Sequence, residues 1–127
     1  MEKMKPKFID HIVLIVKDIV ETEKFYSKFL GKPIQLEKEQ VAYKIGNTKI
    51  FFGLPYTKWQ AIDKDASGLN HLAFGVRTPK ELKDLEKILK NNNIKNSGIK
   101  IDPYGKKEFI WFDDPNDFRI EFYLRMK

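Results

Sequence analysis

Two stretches about sixty positions apart say nearly the same thing, and that limits the chain to folds built from two like halves. The first reads Ile9-Asp-His-Ile-Val-Leu-Ile-Val16, then Asp18-Ile-Val-Glu21; the second reads Gly68-Leu-Asn-His-Leu-Ala-Phe-Gly-Val76, then Thr78-Pro-Lys-Glu81. His11 falls on His71, Asp18 on Thr78, Glu21 on Glu81, Phe25 on Leu85 and Phe29 on Leu89. The chain has 2 histidines, and both occupy one equivalent place. Self-similarity at a fixed period marks a duplicated structural unit.

Each copy reads as a strand followed by a helix. Lys7 to Val16 alternates as a strand, with His11, Val13 and Ile15 on one face and Ile12, Leu14 and Val16 on the other. Both faces are apolar apart from His11, which predicts that both are covered. Asp18 and Glu21 form a capping-box pattern. Val20, Phe25, Phe29 and Leu30 supply the helix stripe, and Gly31 with Pro33 ends it. Residues 34–36, 41–45 and 49–54 are short strands, the last two joined by a Gly46-Asn47 turn. In the second copy the strand is Leu69 to Val76. Thr78 caps, Pro79 sits at the first helical position and Glu81 completes the box. Leu82, Leu85 and Leu89 are its buried stripe. Lys95 to Ile101, Lys107 to Asp113 and Phe118 to Leu124 are its strands. The reading is α+β: module one over about 7–54, a linker over about 55–67 and module two over about 68–125. The linker is a surface connection, or more sharply a lid carrying Tyr56 and Trp59.

At 127 residues the chain is one domain by size. The net charge of +6 invites a nucleic-acid reading. The lysines, however, are interspersed with acids, as in Glu37-Lys-Glu39 and Asp63-Lys-Asp65, so no nucleic-acid partner is expected. No apolar run reaches membrane-spanning length, and Asp10 and His11 interrupt the segment after the N-terminal lysines, so neither a membrane span nor a secretory signal is expected. The absence of cysteine removes disulfides and thiolate ligands and leaves the compartment undecided. Cytoplasm is the default expectation.

Three side chains stand out chemically. His11 and His71 begin equivalent strands, and Glu121 lies in the last strand among Phe118, Ile120, Phe122 and Tyr123. A carboxylate in such surroundings needs a partner. Arg119, two residues away on the same face, offers a buried Glu–Arg pair. The alternative is a metal. Two imidazoles and a carboxylate suit one face of an octahedral ion, or a catalytic zinc with an open fourth position.

Asp10-His11-Ile-Val-Leu-Ile-Val-Lys-Asp18, Phe25-Tyr26, Phe29-Leu30-Gly31, Asn70-His71-Leu-Ala-Phe74, Phe112-Asp-Asp-Pro-Asn116 and Arg119-Ile-Glu121 together resemble the vicinal oxygen chelate superfamily. This is the glyoxalase, bleomycin resistance and extradiol dioxygenase group, and the resemblance covers nearly the whole chain. It implies two tandem βαβββ modules forming an open, cupped sheet around a metal, usually in a homodimer. It also implies His11, His71 and Glu121 as ligands of one divalent ion (Fe, Mn, Ni, Zn or Co) that holds two neighbouring oxygens of a small-molecule substrate.

Departures from the family pattern bear on the reaction. Phe51 stands where glyoxalase I enzymes usually have a fourth, glutamate ligand. Trp111 stands ten positions before Glu121, where extradiol dioxygenases and fosfomycin-modifying transferases commonly have tyrosine. Extradiol enzymes use a further histidine, which this chain lacks. By strand alternation Val13, Lys49, Phe51, Ala73, Trp111, Arg119 and Tyr123 share the ligands' face. Of these Lys49, Phe51, Trp111 and Arg119 are candidate substrate contacts, and Tyr123 is the candidate proton donor. A metal-dependent lyase or isomerase, a dioxygenase and an epoxide-opening transferase all remain open. So does a non-catalytic antibiotic- or metabolite-binding protein.

Overall fold

Each half of the repeat folds as a strand, a helix and three further strands in the computed structural model, which describes residues 2–126. The first comprises β1 (His11–Ile15), α1 (Ile19–Leu30), β2 (Gln35–Leu36), β3 (Gln40–Ile45) and β4 (Thr48–Gly53). The second comprises β5 (His71–Val76), α2 (Pro79–Asn91), β6 (Lys100–Ile101), β7 (Glu108–Asp113) and β8 (Arg119–Leu124). Their sheets run β1-β4-β3-β2 and β5-β8-β7-β6. The fold is α+β, two tandem βαβββ modules. The boundary between two compact units falls between Trp59 and Gln60. No helix among the described residues is long and apolar enough to cross a membrane.

In both units the first strand pairs in parallel with the last. Parallel neighbours need a crossover, and the helix supplies it. The helix then covers one sheet face and leaves the other open. Leu14 and Val16 are buried on the covered side of the first sheet, whereas Val13 is 51% exposed on the His11 side. The expectation that both faces of β1 are covered is thus corrected. One helix per unit covers one face.

The first core is aromatic. Tyr26 stacks on Phe52 at 4.3 Å and Tyr43 meets the same ring edge-on at 6.1 Å, contacts worth about 0.5–1.5 kcal/mol each beyond burial. The buried residues of α1 are Ile19, Thr22 and Tyr26. Val20, expected in this stripe, is 78% exposed, because a 3.6-residue period through Ile19 and Tyr26 turns position 20 outward. Thr22 occupies the buried place, its hydroxyl donating to the Asp18 carbonyl at 2.7 Å.

The two caps differ. Thr78 and Glu81 form the reciprocal box, whereas Asp18 only accepts the Glu21 N–H. Thr78 also donates its hydroxyl to the Glu81 carboxylate at 3.1 Å. Asp18 offers a second negative charge instead, so Glu21 does not turn back.

Strand ends are shorter than alternation implies. β1 starts at His11 rather than Lys7, because its partner β4 starts at Thr48; Lys49 N donates to the Asp10 carbonyl at 3.0 Å, at the edge of the ladder. β5 likewise starts at His71 rather than Leu69. Between Lys95 and Ile101 only Lys100–Ile101 is strand, with an isolated bridge from Asn96 to Phe112. Gly98 takes a φ of 71° there, and the Ser97 hydroxyl accepts the Trp111 N–H at 2.9 Å in place of a ladder bond.

Candidate functional site

The open face of the second sheet carries most of the titratable candidates. Register pairs His71 with Arg119, Ala73 with Glu121 and Gly75 with Tyr123, while Trp111 lies opposite Glu121 across the β7–β8 ladder. These side chains share one face because strand residues two apart point the same way. The opposite face holds Phe74, Ile110, Phe112, Ile120 and Phe122, all buried. The β7–β8 turn that sets this register closes on Asp114, whose Oδ1 accepts the N–H groups of Asn116 and Phe118 at 2.7 and 2.9 Å.

His71 Nε2 stands 3.6 Å from Glu121 Oε1, beyond hydrogen-bond reach. The Glu121 side chain is only 16% exposed, and among the described residues it accepts no hydrogen bond. Its expected partner is engaged elsewhere. Arg119 Nε donates to Asp113 Oδ1 at 2.6 Å, and its guanidinium lies 3.7 Å over the Trp111 ring. The buried Glu121–Arg119 pair offered by the sequence is therefore corrected. A neighbouring carboxylate and an aromatic face claim Arg119 first.

The other ring nitrogen of His71 is fixed. Nδ1 lies 2.7 Å from Asn70 Oδ1. Asn70 in turn donates its amide nitrogen to the Lys64 carbonyl at 2.9 Å, so its oxygen must face the ring. An amide oxygen only accepts, which puts the proton on Nδ1. In a neutral imidazole this leaves Nε2 bare toward Glu121, acceptor facing acceptor. His11 repeats the arrangement in the first unit, with Nδ1 2.8 Å from Asp10 Oδ2.

Two donors each about 2.1 Å from one first-row ion stand roughly 3–3.5 Å apart, and metal-bound histidines donate their second N–H to a neighbouring acceptor. His71 meets the second count, and its 3.6 Å separation from Glu121 is just beyond the first, within a small side-chain adjustment of it. Among the described residues no group of three histidine, aspartate or glutamate side chains is gathered; the second unit provides two.

A cleft of about 520 Å³ opens over this pair, within the size range of small-molecule sites. It is lined by His71, Ala73, Glu121 and Tyr123, by Phe109 of β7, and by Asp102 and Tyr104 from the β6–β7 loop. Tyr123 donates its hydroxyl to Asp102 Oδ2 at 2.7 Å. That bond holds the Asp102 carboxyl below the usual carboxylate range and pushes the Tyr123 phenol up. Gly105 permits the approach, since a side chain there would run into the Tyr123 hydroxyl. Asp102 and Tyr104 escape sequence reasoning because they lie in a loop, and Phe109 because its counterpart in the repeat is Gln40. Pro103-Tyr-Gly105 carries only the signature of a turn.

In the first unit, His11, Val13, Phe51 and Tyr56 line a smaller cleft of about 200 Å³. The His11 and Phe51 rings meet edge-on at 5.7 Å. Phe51 pairs with Val13 as Glu121 pairs with Ala73, so the repeat places an apolar ring where the second unit has its carboxylate. Lys49 lies beside His11 and opposite Lys44. Of the connector's aromatics, Tyr56 reaches this cleft, while Trp59 lies 5.7 Å from the Lys17 ammonium.

A family model described as Glyoxalase/Bleomycin resistance protein/Dioxygenase superfamily matches residues 8–122. The uncharacterised protein YwkD of Bacillus subtilis (strain 168) is 31% identical over 126 residues, covering 92% of this chain and 96% of its own. The uncharacterised protein YaeR of Escherichia coli (strain K12) is 29% identical over 126 residues, covering 92% and 95%. Among solved structures, lactoylglutathione lyase from Agrobacterium tumefaciens superposes with a TM-score of 0.73 at 19% identity, covering 96% of each chain. The fosfomycin resistance protein FosX from Listeria monocytogenes gives 0.73 at 20% identity, again covering 96% of each. At such identities the likeness is one of fold.

Proposed function

Because this chain belongs to the glyoxalase/bleomycin resistance protein/dioxygenase superfamily, we propose that it is a divalent-metal-dependent enzyme acting on a small oxygenated substrate through two neighbouring oxygens. The observation that carries this reading is the largely buried Glu121 carboxylate facing the bare Nε2 of His71 at 3.6 Å beside a substrate-sized cleft. Two acceptors so placed repel one another unless a proton or a metal cation lies between them. His71 and Glu121 would hold the ion, with His11 from the first unit as the third ligand. A divalent ion there supplies Lewis acidity toward an enolate, alkoxide or similar oxyanion.

The chain's own residues bind and orient. Phe109 gives the second unit's cleft an apolar wall, and Phe51 does the same for the first unit's cleft. Lys49 attracts a negative substituent, and Arg119, already neutralised by Asp113, contributes its flat stacked surface more than its charge. Tyr123 is the proton donor nearest Glu121. Its hydroxyl is committed as a donor to Asp102, so it donates to substrate only when that bond is exchanged. The test is metal content and affinity of the native protein beside Glu121→Gln. About one ion per chain, lost in the variant, is the expected result; uptake by neither form overturns the reading.

A second reading has one observation in its favour: Phe51 and the Asp102-bound Tyr123 leave few free acid–base groups. A non-catalytic protein sequestering an antibiotic or metabolite needs none. It predicts ligand binding that survives metal chelation.

A further inference from the structure

We propose that Asn70 is a positioning residue that selects the Nδ1–H tautomer of His71 and so prepares Nε2 as a metal donor, with Asp10 doing the same for His11. The inference rests on the metal reading above and adds the residues that set the ligands' protonation. Three contacts in series carry it. The Lys64 carbonyl accepts the Asn70 amide N–H at 2.9 Å, which turns the amide oxygen toward the ring. That oxygen lies 2.7 Å from Nδ1. Nε2 is then left facing Glu121.

Free histidine favours the opposite tautomer, with its proton on Nε2. In that form the proton would point at Glu121 and have to be displaced by a cation. Fixing it on Nδ1 beforehand removes that step. Repetition is the second argument. Asp10 and Asn70 are equivalent positions, each an acceptor immediately before its histidine, and each meets Nδ1 rather than Nε2. Asp10 has a carboxylate, which can only accept when ionised, and needs no tether to orient it. Asn70 has an ambiguous amide, and the tether removes the ambiguity. The turn that presents the Lys64 carbonyl is itself closed by Asp63, whose backbone and side-chain oxygens accept from Ala66 and Asp65 at 3.1 and 3.0 Å. The connector thus reaches the candidate site through one amide.

Long-range ¹H–¹⁵N NMR of metal-free full-length protein at pH 8.5, where imidazole is neutral, reads the tautomer directly. Native His71 is expected as Nδ1–H and Asn70→Ala as predominantly Nε2–H. Zinc titration is expected to show affinity lowered roughly 10- to 100-fold in Asn70→Ala. Asn70→Asp keeps the acceptor but cannot donate to Lys64, and is expected to restore both the tautomer and the affinity. Native His71 in the Nε2–H form overturns the inference. So does an Asn70→Ala variant that keeps both the native tautomer and affinity, or an Asn70→Asp variant that behaves like Asn70→Ala, which would make the role of the tether merely structural. If neither native protein nor Glu121→Gln takes up zinc, the metal reading fails, and the tautomers alone still decide what Asn70 does.

Discussion

At the scale of single residues, two charged side chains two positions apart on β8 have opposite fates. Arg119 has an ion pair with Asp113 and a ring beneath it; Glu121 has only the His71 imidazole, 3.6 Å away. Arg119→Ala is therefore expected to cost about 1–2 kcal/mol, the sum of a half-exposed ion pair and a cation–π contact. Glu121→Gln removes an unpaired negative charge and is expected to leave metal-free stability unchanged or slightly higher. Urea denaturation of the two metal-free variants checks this, and equal losses would restore the Glu–Arg pair. The sequence made Glu121 conspicuous because a carboxylate among Phe118, Ile120, Phe122 and Tyr123 needs an explanation. It offered Arg119 as one possible partner because Asp113 comes opposite Arg119 only through the β7–β8 register, a non-local fact. Tyr123 shows the same blindness. Its neighbours in sequence marked it as a nearby phenol, but Asp102 is brought to it by a loop that no periodicity describes.

At the scale of elements, what was legible followed local chemistry. The α2 cap was readable from Thr78-Pro79 and Glu81 because every partner lies within one turn. The same pattern at Asp18 and Glu21 gave half a box, since the motif counts oxygens and ignores the repulsion between two carboxylates. Interrupted β6 was missed because Ser97 can replace a ladder partner only once Trp111 lies beside it. The completed cap makes a pH-dependent prediction. Bonds from the N–H groups of Arg77 and Thr78 and from the Thr78 hydroxyl hold the Glu81 carboxyl below its ordinary value of 4.5. A depressed folded-state value means stability that is present above the unfolded value and lost as pH falls through the folded one. Thr78→Ala is expected to cost about 1 kcal/mol near neutrality. The deficit should narrow below about pH 4.5, where protonated Glu81 no longer distinguishes the two proteins as strongly. Thermal melts at pH 7 and pH 3 measure it; a gap of constant size would separate the cap from the charge of Glu81.

At the scale of the whole molecule, the repeat has kept its framework and changed its chemistry. Both units retain the helix cap position, the parallel pairing of first and last strands and a histidine whose Nδ1 meets the preceding side chain. Among their differences one bears on the ligand set: Phe51 in the first answers Glu121 in the second. A symmetric duplicate would offer two histidines and two carboxylates; this chain offers two and one. On the proposed reading the second unit supplies two ligands, and whether His11 adds a third can be measured. Binding to the folded state alone raises stability by RT ln(1 + [L]/Kd), about 2.7 kcal/mol at a hundredfold excess over Kd. For a chain of this size that is a rise in melting temperature on the order of 10 °C. The native protein should show this rise with added divalent ion and lose it with a chelator. His71→Ala and Glu121→Gln should abolish it. His11→Ala removes one donor of three while leaving the His71–Glu121 pair intact, so it should weaken binding and displace the curve to higher ion concentration, any given rise needing proportionally more ion. A His11→Ala protein that melts as the native one does at every ion concentration would leave the second unit as the whole of the site, and His11 as a repeat position kept for its place in β1.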